Sequence, residues 1–415
     1  MLWHSSRILF AAFIALHFCA AWSAEPLKVA FINTLSGAFA LQGEETLKNV
    51  QTAVDIVNAR GGVLGGRQIE IVAFDNKGNP QETLIVLKQA IDQDIRYVIS
   101  GVSNIAHAIT DAVSKHNARN PESAVLFLDY GALDPALTEA KCDFWHFRFE
   151  SHADMQVGVL TDYMAKQPAV RKVYLINQDY AFGQATSKAA REMLQAKRPD
   201  IQIVGDELVP LGKVKDFAPY VAKIRAAGAD SVLTGNWGND LSLLIKASNE
   251  AGLKATYYTL LGAFFGTPGA IGAAGADRVK TLYAYNINAA DPARQKVLLG
   301  YKEKYNALTN MTYLPAHRTV EMLAAALAKA QSAEPLKVAY ALEDLKYAGP
   351  SGDSWMRADD HQIIAPIYLL SFAKVGQPGV TVEEEKTGYG WKTEALVEAR
   401  DTATPVKCQM QRPAR

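Results

Sequence analysis

Residues 27–74 constrain the fold more than any other stretch. LKVAFIN (27–33) is a continuous apolar run of strand length, and TLSGAFALQG (34–43) is a loop of small and polar residues. Leu47, Val50, Ala53, Val54 and Val57 then recur at helical spacing, Gly61 and Gly62 stop the helix, and Gly65 and Gly66 turn the chain into QIEIVAF (68–74). Such a β-α-β crossover is right-handed, which makes the strands parallel and leaves the first loop at their carboxyl edge, where open parallel sheets bind ligands. A ligand site near Ser36 to Gly43 is expected.

The same alternation continues. Residues 83–92 have helical spacing through Leu84, Leu87 and Ile91, and a short strand at 95–99 runs into Ser103 and Asn104. A helix at 106–116 precedes a strand ending at Tyr130 and Gly131. After the aromatic cluster FWHFRF (144–149) a second set begins: helix 155–164, strand 172–177, helix 185–196, strand 201–209, helix 217–227, strand 229–236, helix 241–251 and an extended segment at 255–261. The expected architecture is therefore α/β, with two doubly wound lobes. Residues 262–275, rich in glycine and alanine, read as flexible; 281–287 resumes a strand, and 293–306, 316–331 and 335–347 read as helices. Residues 349–362 read as a turn-rich connection into a strand at 363–372, and the tail from Gly376 reads as a polar surface wrap.

The first residues have the form of an export signal. Arg7 precedes an apolar segment at 8–22 that falls short of the ~20 residues a spanning helix needs, and a cut after Ser23 puts Ala21 and Ser23 at the small-residue positions. Phe18 is too bulky for a lipoprotein cleavage before Cys19. Residues 1–23 are thus expected to be removed, leaving about 390 of the 415 residues in the periplasm as two domains. Only Cys142 and Cys408 remain, either a disulfide in an oxidising compartment or two free thiols. The 43 basic and 43 acidic residues balance without a basic tract, which argues against nucleic acid as a partner.

Catalytic patterns are absent. GGVLGG (61–66) follows a helix and precedes a strand, the reverse of a pyrophosphate loop, and no GxxxxGK[ST] loop occurs. His107, His116, His146, His152, His317 and His361 have no metal-ligand spacing, and no GxSxG elbow is present. Asn310 begins a formal glycosylation sequon without expected meaning. Neither an enzyme, a cofactor nor a metal is expected. Six strand-end loops instead carry aromatic, amide and small residues: Ser36 to Gln42 with Phe39; Ser103 and Asn104; Tyr130, Gly131, Ala132 and Leu133; Asp179 to Phe182 with Tyr180; Asn236 and Trp237; and Leu261 to Phe264. If the two lobes face each other, these loops line one cleft, with helix N-termini suited to a carboxylate and aromatic walls around it.

VAFINTLSGAFALQG, AVDIVNARGGVLGGRQIEIVAFDNKGNPQE, YVISGVSN, GALDPALT, INQDYAFGQ, GNWGNDLSLLIKASNEAGLK and GPSGDSWMRADDHQ, in this order, resemble the leucine/isoleucine/valine-binding group of type I periplasmic solute-binding proteins that feed ABC importers. The resemblance implies two Rossmann-like lobes joined by a three-strand hinge, with crossings near Arg148, Tyr285 and Arg357. It implies a lobe of 27–148 plus 286–356, a lobe of 149–285 plus 357–405, and a tail at 406–415. It also implies a small solute and the inner-membrane permease subunits of an ABC importer as partners of a monomer.

Departures from the family pattern bear on the solute. The serine that holds an amino acid's carboxylate aligns with Asn104, a hydroxyl position aligns near Leu133, the second-lobe tyrosines align with Phe182 and Trp237, and the acid that binds the α-ammonium falls at Leu261. A buried ammonium without a carboxylate is strongly penalised. An apolar or aromatic carboxylate is therefore expected rather than an ordinary α-amino acid. A sensory clamp signalling to a separate membrane receptor has the same fold and remains the alternative, as does a branched-chain amino acid binder.

Overall fold

The computed structural model describes residues 25–414; the export signal expected at 1–23 lies outside the described residues. The first unit is as the sequence implies. β1 (Leu27–Asn33) leads into α1 (Ala40–Ala59) and then β2 (Ile69–Asp75), which pairs with β1 in parallel from Leu27 opposite Ile69 to Asn33 opposite Asp75. Side chains alternate across the strand. Val29 and Phe31 pack with the buried face of α1, while Ala30 and Ile32 pack into the core on the other side of the sheet.

α2 (Pro80–Asp92), β3 (Tyr97–Ser100), α3 (Ser103–Arg119), β4 (Leu126–Asp129) and β5 (His146–Arg148) complete a parallel sheet of order β2-β1-β3-β4-β5. α2 and α3 cover the Ala30 and Ile32 face through Val86, Leu87, Ile105 and Ile109.

The second lobe repeats the scheme with α4 (Ala153–Ala165), β6 (Lys172–Gln178), α5 (Ala181–Lys197), β7 (Gln202–Val209), α6 (Ala218–Ala226), β8 (Ser231–Thr234), α7 (Gly238–Glu250), β9 (Thr256–Thr259), α8 (Thr267–Gly275) and β10 (Val279–Tyr283). Val173 and Leu175 of β6 face the α4–α5 side, Tyr174 and Ile176 the α6–α7 side. From β10 the chain returns to the first lobe as α9 (Pro292–Lys304), α10 (Leu314–Ala330) and α11 (Pro335–Leu342), with Val320, Leu323 and Leu327 of α10 packed in the same core as Val50, Val54 and Val57 of α1.

Three expectations from composition are corrected. The glycine-rich tract contains α8: Gly266 takes the left-handed conformation at its N-cap (φ 81°), Pro268 fits the first turn, and Glu385, 119 residues further on, accepts hydrogen bonds from the N–H groups of Gly266 and Gly269. The supposed turn at 349–362 contains β12 (Gly352–Met356), which pairs antiparallel with β11 (Lys346–Gly349), formed where the expected helix to 347 stops at Leu342, and with β13 (Ile363–Ile364) in a three-stranded sheet. The polar tail contains β15 (Tyr389–Val397), which pairs with β14 (Ile367–Lys374) at the edge of the seven-stranded sheet β15-β14-β10-β9-β8-β6-β7 and buries Trp391. A strand at a sheet edge needs apolar residues on one face only, which is why its overall composition reads as polar.

After β15 comes a short α12 (Ala399–Thr402), and the chain then runs to the first lobe, where Cys408 is bonded to Cys142. The junction between lobes is held by Arg148, which is fully buried. Its Nε donates to Gln362 Oε1 at 2.7 Å and one Nη to the Asp134 carbonyl at 2.6 Å, while the other Nη reaches the Thr138 hydroxyl. Every acceptor is a neutral oxygen, so the charge is satisfied geometrically, and burial lowers the guanidinium pKa.

Candidate functional site

The carboxyl edges of the two sheets face each other across a narrow cleft. The β1–α1 connection supplies Asn33, Thr34, Phe39, Gln42, Gly43 and Thr46; the β3–α3 turn supplies Gly101, Val102 and Ser103; and the loop after β4 supplies Tyr130, Gly131 and Leu133. Opposite stand Tyr180 and Phe182 from the β6–α5 turn, Trp237 from the end of β8, and Leu261 and Phe264 from the loop after β9, with Tyr313 before α10. Two glycines make the turns possible. A Cβ on Gly43 would lie 1.8 Å from the Thr34 carbonyl oxygen, and one on Gly183 would lie 1.8 Å from that of Gln178. In each lobe the first turn of a helix is thereby pressed against the end of the strand before it.

Of the positions singled out in the sequence, Phe39, Gln42, Ser103, Tyr130, Gly131, Leu133, Tyr180, Phe182, Trp237, Leu261 and Phe264 line this cleft together. Asn104, Ala132 and Asn236 are not among the lining residues. Ser103 is the first residue of α3, and the next residue of a helix is turned by about 100°. Ala132 is fully buried with its N–H donated to Asp129 Oδ1 at 2.7 Å, and Asn236 is fully buried next to the lining Trp237. Asn33, Thr34, Thr46, Gly101, Val102 and Tyr313 line the cleft without having been singled out, and Gly43 ends the stretch that was. Asn33 and Gly101 adjoin strand ends and follow from the same logic. Tyr313 does not, because it precedes a helix and belongs to no sheet edge.

Among the described residues, no side chain lining the cleft is acidic, basic or histidine. Its polarity comes from hydroxyls, amides and helix ends. The Ser103 Oγ accepts the N–H groups of Leu133 and Asp134 at 3.1 and 3.2 Å, and the Tyr180 hydroxyl accepts from Trp237 Nε1 at 2.9 Å. Each therefore keeps its own proton to offer to an acceptor in the cleft. Burial pushes the Tyr180 phenol above its ordinary pKa, so it stays a donor. α3, α5 and α7 all start at the cleft, each without a side-chain cap. Their leading N–H groups and dipoles favour negative charge.

The lobes touch across this space. The Phe39 ring lies 4.4 Å from that of Trp237 at 32°, Gln42 Nε2 donates to the Phe265 carbonyl at 3.1 Å, and Trp237, Phe264 and Tyr313 continue edge to face. Among the described residues no group of three or more His, Cys, Asp or Glu side chains is placed to hold a metal ion, and no helix is long and apolar enough to cross a membrane.

Residues 26–377 match the family model described as periplasmic binding protein. The chain belongs to that family. This periplasmic binding protein is 33% identical over 405 residues to "Leu/Ile/Val-binding protein homolog 4" of Brucella melitensis, covering 94% of each chain. It is similar to the crystal structure of the leucine-, isoleucine-, valine-, threonine- and alanine-binding protein of Brucella ovis in its closed conformation (32% identity, TM-score 0.83, 94% of this chain and 100% of that one). An ABC-transporter solute-binding protein of Rhodopseudomonas palustris in complex with p-hydroxybenzoic acid shares the fold at 20% identity (TM-score 0.77, 90% of this chain and 97% of that one). The two-lobe α/β architecture is that of type I periplasmic binding proteins.

Proposed function

We propose that this periplasmic binding protein is the solute-binding component of an ABC importer and that its solute is a small aromatic or apolar carboxylate. The observation that carries the reading is a cleft of aromatic walls and neutral donors without an acidic side chain. An α-amino acid enclosed there would bury its ammonium with no carboxylate partner, at a cost of several kcal/mol. A carboxylate without an ammonium meets the Ser103 and Tyr180 hydroxyls and the uncapped starts of α3 and α5, one set from each lobe. Because both lobes contact the solute, binding favours the closed form, which is the form a permease in the inner membrane would recognise. The p-hydroxybenzoic acid complex of the Rhodopseudomonas palustris protein supports the reading at the level of the fold.

In this reading the exported chain is cut near Ser23 and works in the periplasm as a monomer. Residues 27–148 plus 286–356 form one lobe, and residues 149–285 plus 357–405 the other. A thermal-shift screen of benzoate, 4-hydroxybenzoate and aliphatic acids against leucine, isoleucine and valine tests it. Shifts with the acids and none with the amino acids are expected; a large shift with leucine and none with any acid lacking an amino group refutes it. The names of the Brucella relatives favour that second outcome, a branched-chain amino acid as the solute.

A further inference from the structure

Behind the aromatic wall of the cleft lies a second, smaller cavity, with room for about one water-sized group, on the seam between the lobes. Phe265 separates the two spaces. The small cavity is reached by Glu384 and Glu385, from the segment between β14 and β15, and by Thr309, from the segment before α10. Thr309 belongs to the first lobe: its N–H and that of Leu308 donate to Glu45 Oε2 on α1 at 3.2 and 3.1 Å.

The two acids differ in how they are satisfied. Glu385 holds the N–H groups of Gly266 and Gly269, one on each oxygen. Glu384, 7% exposed, receives one hydrogen bond, from Asn310 Nδ2 to Oε2 at 2.9 Å. Among the described residues no ammonium or guanidinium forms a salt bridge with it. Lys302 Nζ donates to Asn310 Oδ1 at 2.7 Å and so acts at one remove; Lys48 pairs with Glu45; and the Arg294 guanidinium lies over the Tyr285 ring at 5.3 Å. The Thr309 hydroxyl, on a residue 4% exposed, lines the same cavity and has no hydrogen-bond partner.

We propose that this cavity is a monovalent-cation site bridging the two lobes, with Glu384 as its charge partner and Thr309 as a hydroxyl ligand. A carboxylate withdrawn from water must be neutralised. Hard oxygen donors suit an alkali cation. Charge balance sets the valence, since Glu385 is spent on the start of α8 and one free carboxylate matches one positive charge. The donors come from both lobes, so occupancy favours the closed form.

The test measures the thermal midpoint of the ligand-free mature protein in sodium chloride, potassium chloride and N-methylglucamine chloride at equal ionic strength and one pH. At ten times its dissociation constant the cation multiplies the folded-to-unfolded ratio about elevenfold. The expected result is a saturable rise of the midpoint with sodium or potassium over N-methylglucamine. Glu384→Gln and, separately, Thr309→Val are expected to weaken or remove it, while Glu383→Gln on the neighbouring exposed acid keeps it. Equal midpoints in all three salts overturn the proposal, as does an undiminished sodium effect in both site variants. The readout needs no solute, so its failure is distinguishable from failure of the solute reading.

Discussion

Substituting Phe39 with alanine removes a contact that exists only while the lobes are together. Phe39 sits on the β1–α1 connection of the first lobe, half-buried, with its ring 4.4 Å from Trp237 of the second. Gly212, also of the second lobe, comes so close that a Cβ there would lie 3.0 Å from the ring. The tilted aromatic pair contributes about 1 kcal/mol, and burying roughly half of a phenylalanine contributes about 1 kcal/mol more. Both contributions belong to the closed form. Affinity for the solute should therefore fall by about 2 kcal/mol, roughly 30-fold, through the open–closed equilibrium. In the ligand-free protein, where the lobes can part, folding should change by no more than about 0.5 kcal/mol, or roughly 1–2 °C. Titration calorimetry with the acid that gives the largest thermal shift, beside calorimetric melting without it, separates the two quantities. A dissociation constant within about threefold of the parent would refute the reasoning. So would a melting loss as large as the binding loss, which would make Phe39 part of the fold and not of closure.

Trp237→Ala removes a wall of the cleft and the donor to the Tyr180 hydroxyl, so binding should weaken more than in the Phe39 variant while circular dichroism keeps the folded spectrum; unchanged affinity would take Trp237 out of the site. Stability should rise as pH falls from about 8.5 to about 6.5, because Glu384, at about 8, and Glu150 and Glu385, at about 7, hold protons in the folded state that an unfolded carboxyl releases. That contribution is fully present below the unfolded carboxyl pKa and is lost as pH rises through the folded values. Below about pH 6.5 the trend should flatten or reverse, since burial holds His317 at about 3 and His152 well below normal while unfolded imidazoles take up protons. A midpoint that falls steadily from pH 8.5 to 6.5 contradicts this. Cys142→Ser should cost about 2–5 kcal/mol by denaturant titration, the bond closing a sequence separation of 266 residues; an unchanged midpoint would refute it.

What the sequence disclosed follows its periodicities. β1 could be read because Val29 and Phe31 face one core and Ala30 and Ile32 the other, leaving an unbroken apolar run. Phe39, Ser103, Tyr130 and Trp237 could be placed at one cleft because parallel strands deliver their following loops to one edge. Asn104 stands beside Ser103 on α3, where successive side chains are turned by about 100°, which a loop-level reading cannot resolve. α8 and Tyr313 were hidden for another reason. The cap of α8 is Glu385, and the walls against Tyr313 are Tyr130 and Phe264, all distant along the chain, so no local pattern records either contact.

The bond between Cys142 and Cys408 also limits how far the clamp can swing. β15 is the edge strand of the second lobe's sheet and α12 follows it, yet Cys408 is anchored beside β5 of the first lobe, where Lys407 also pairs with Glu139. The polypeptide therefore joins the lobes a fourth time, through a leash from Thr402 to Cys408 that reaches about 20 Å when fully extended. The leash is also tied along its length: the Thr404 carbonyl accepts from Arg357 and the Thr404 hydroxyl meets His152, so these bonds and the pairs of Lys407 with Glu139 and of Arg412 with Glu343 hold the tail beside the disulfide.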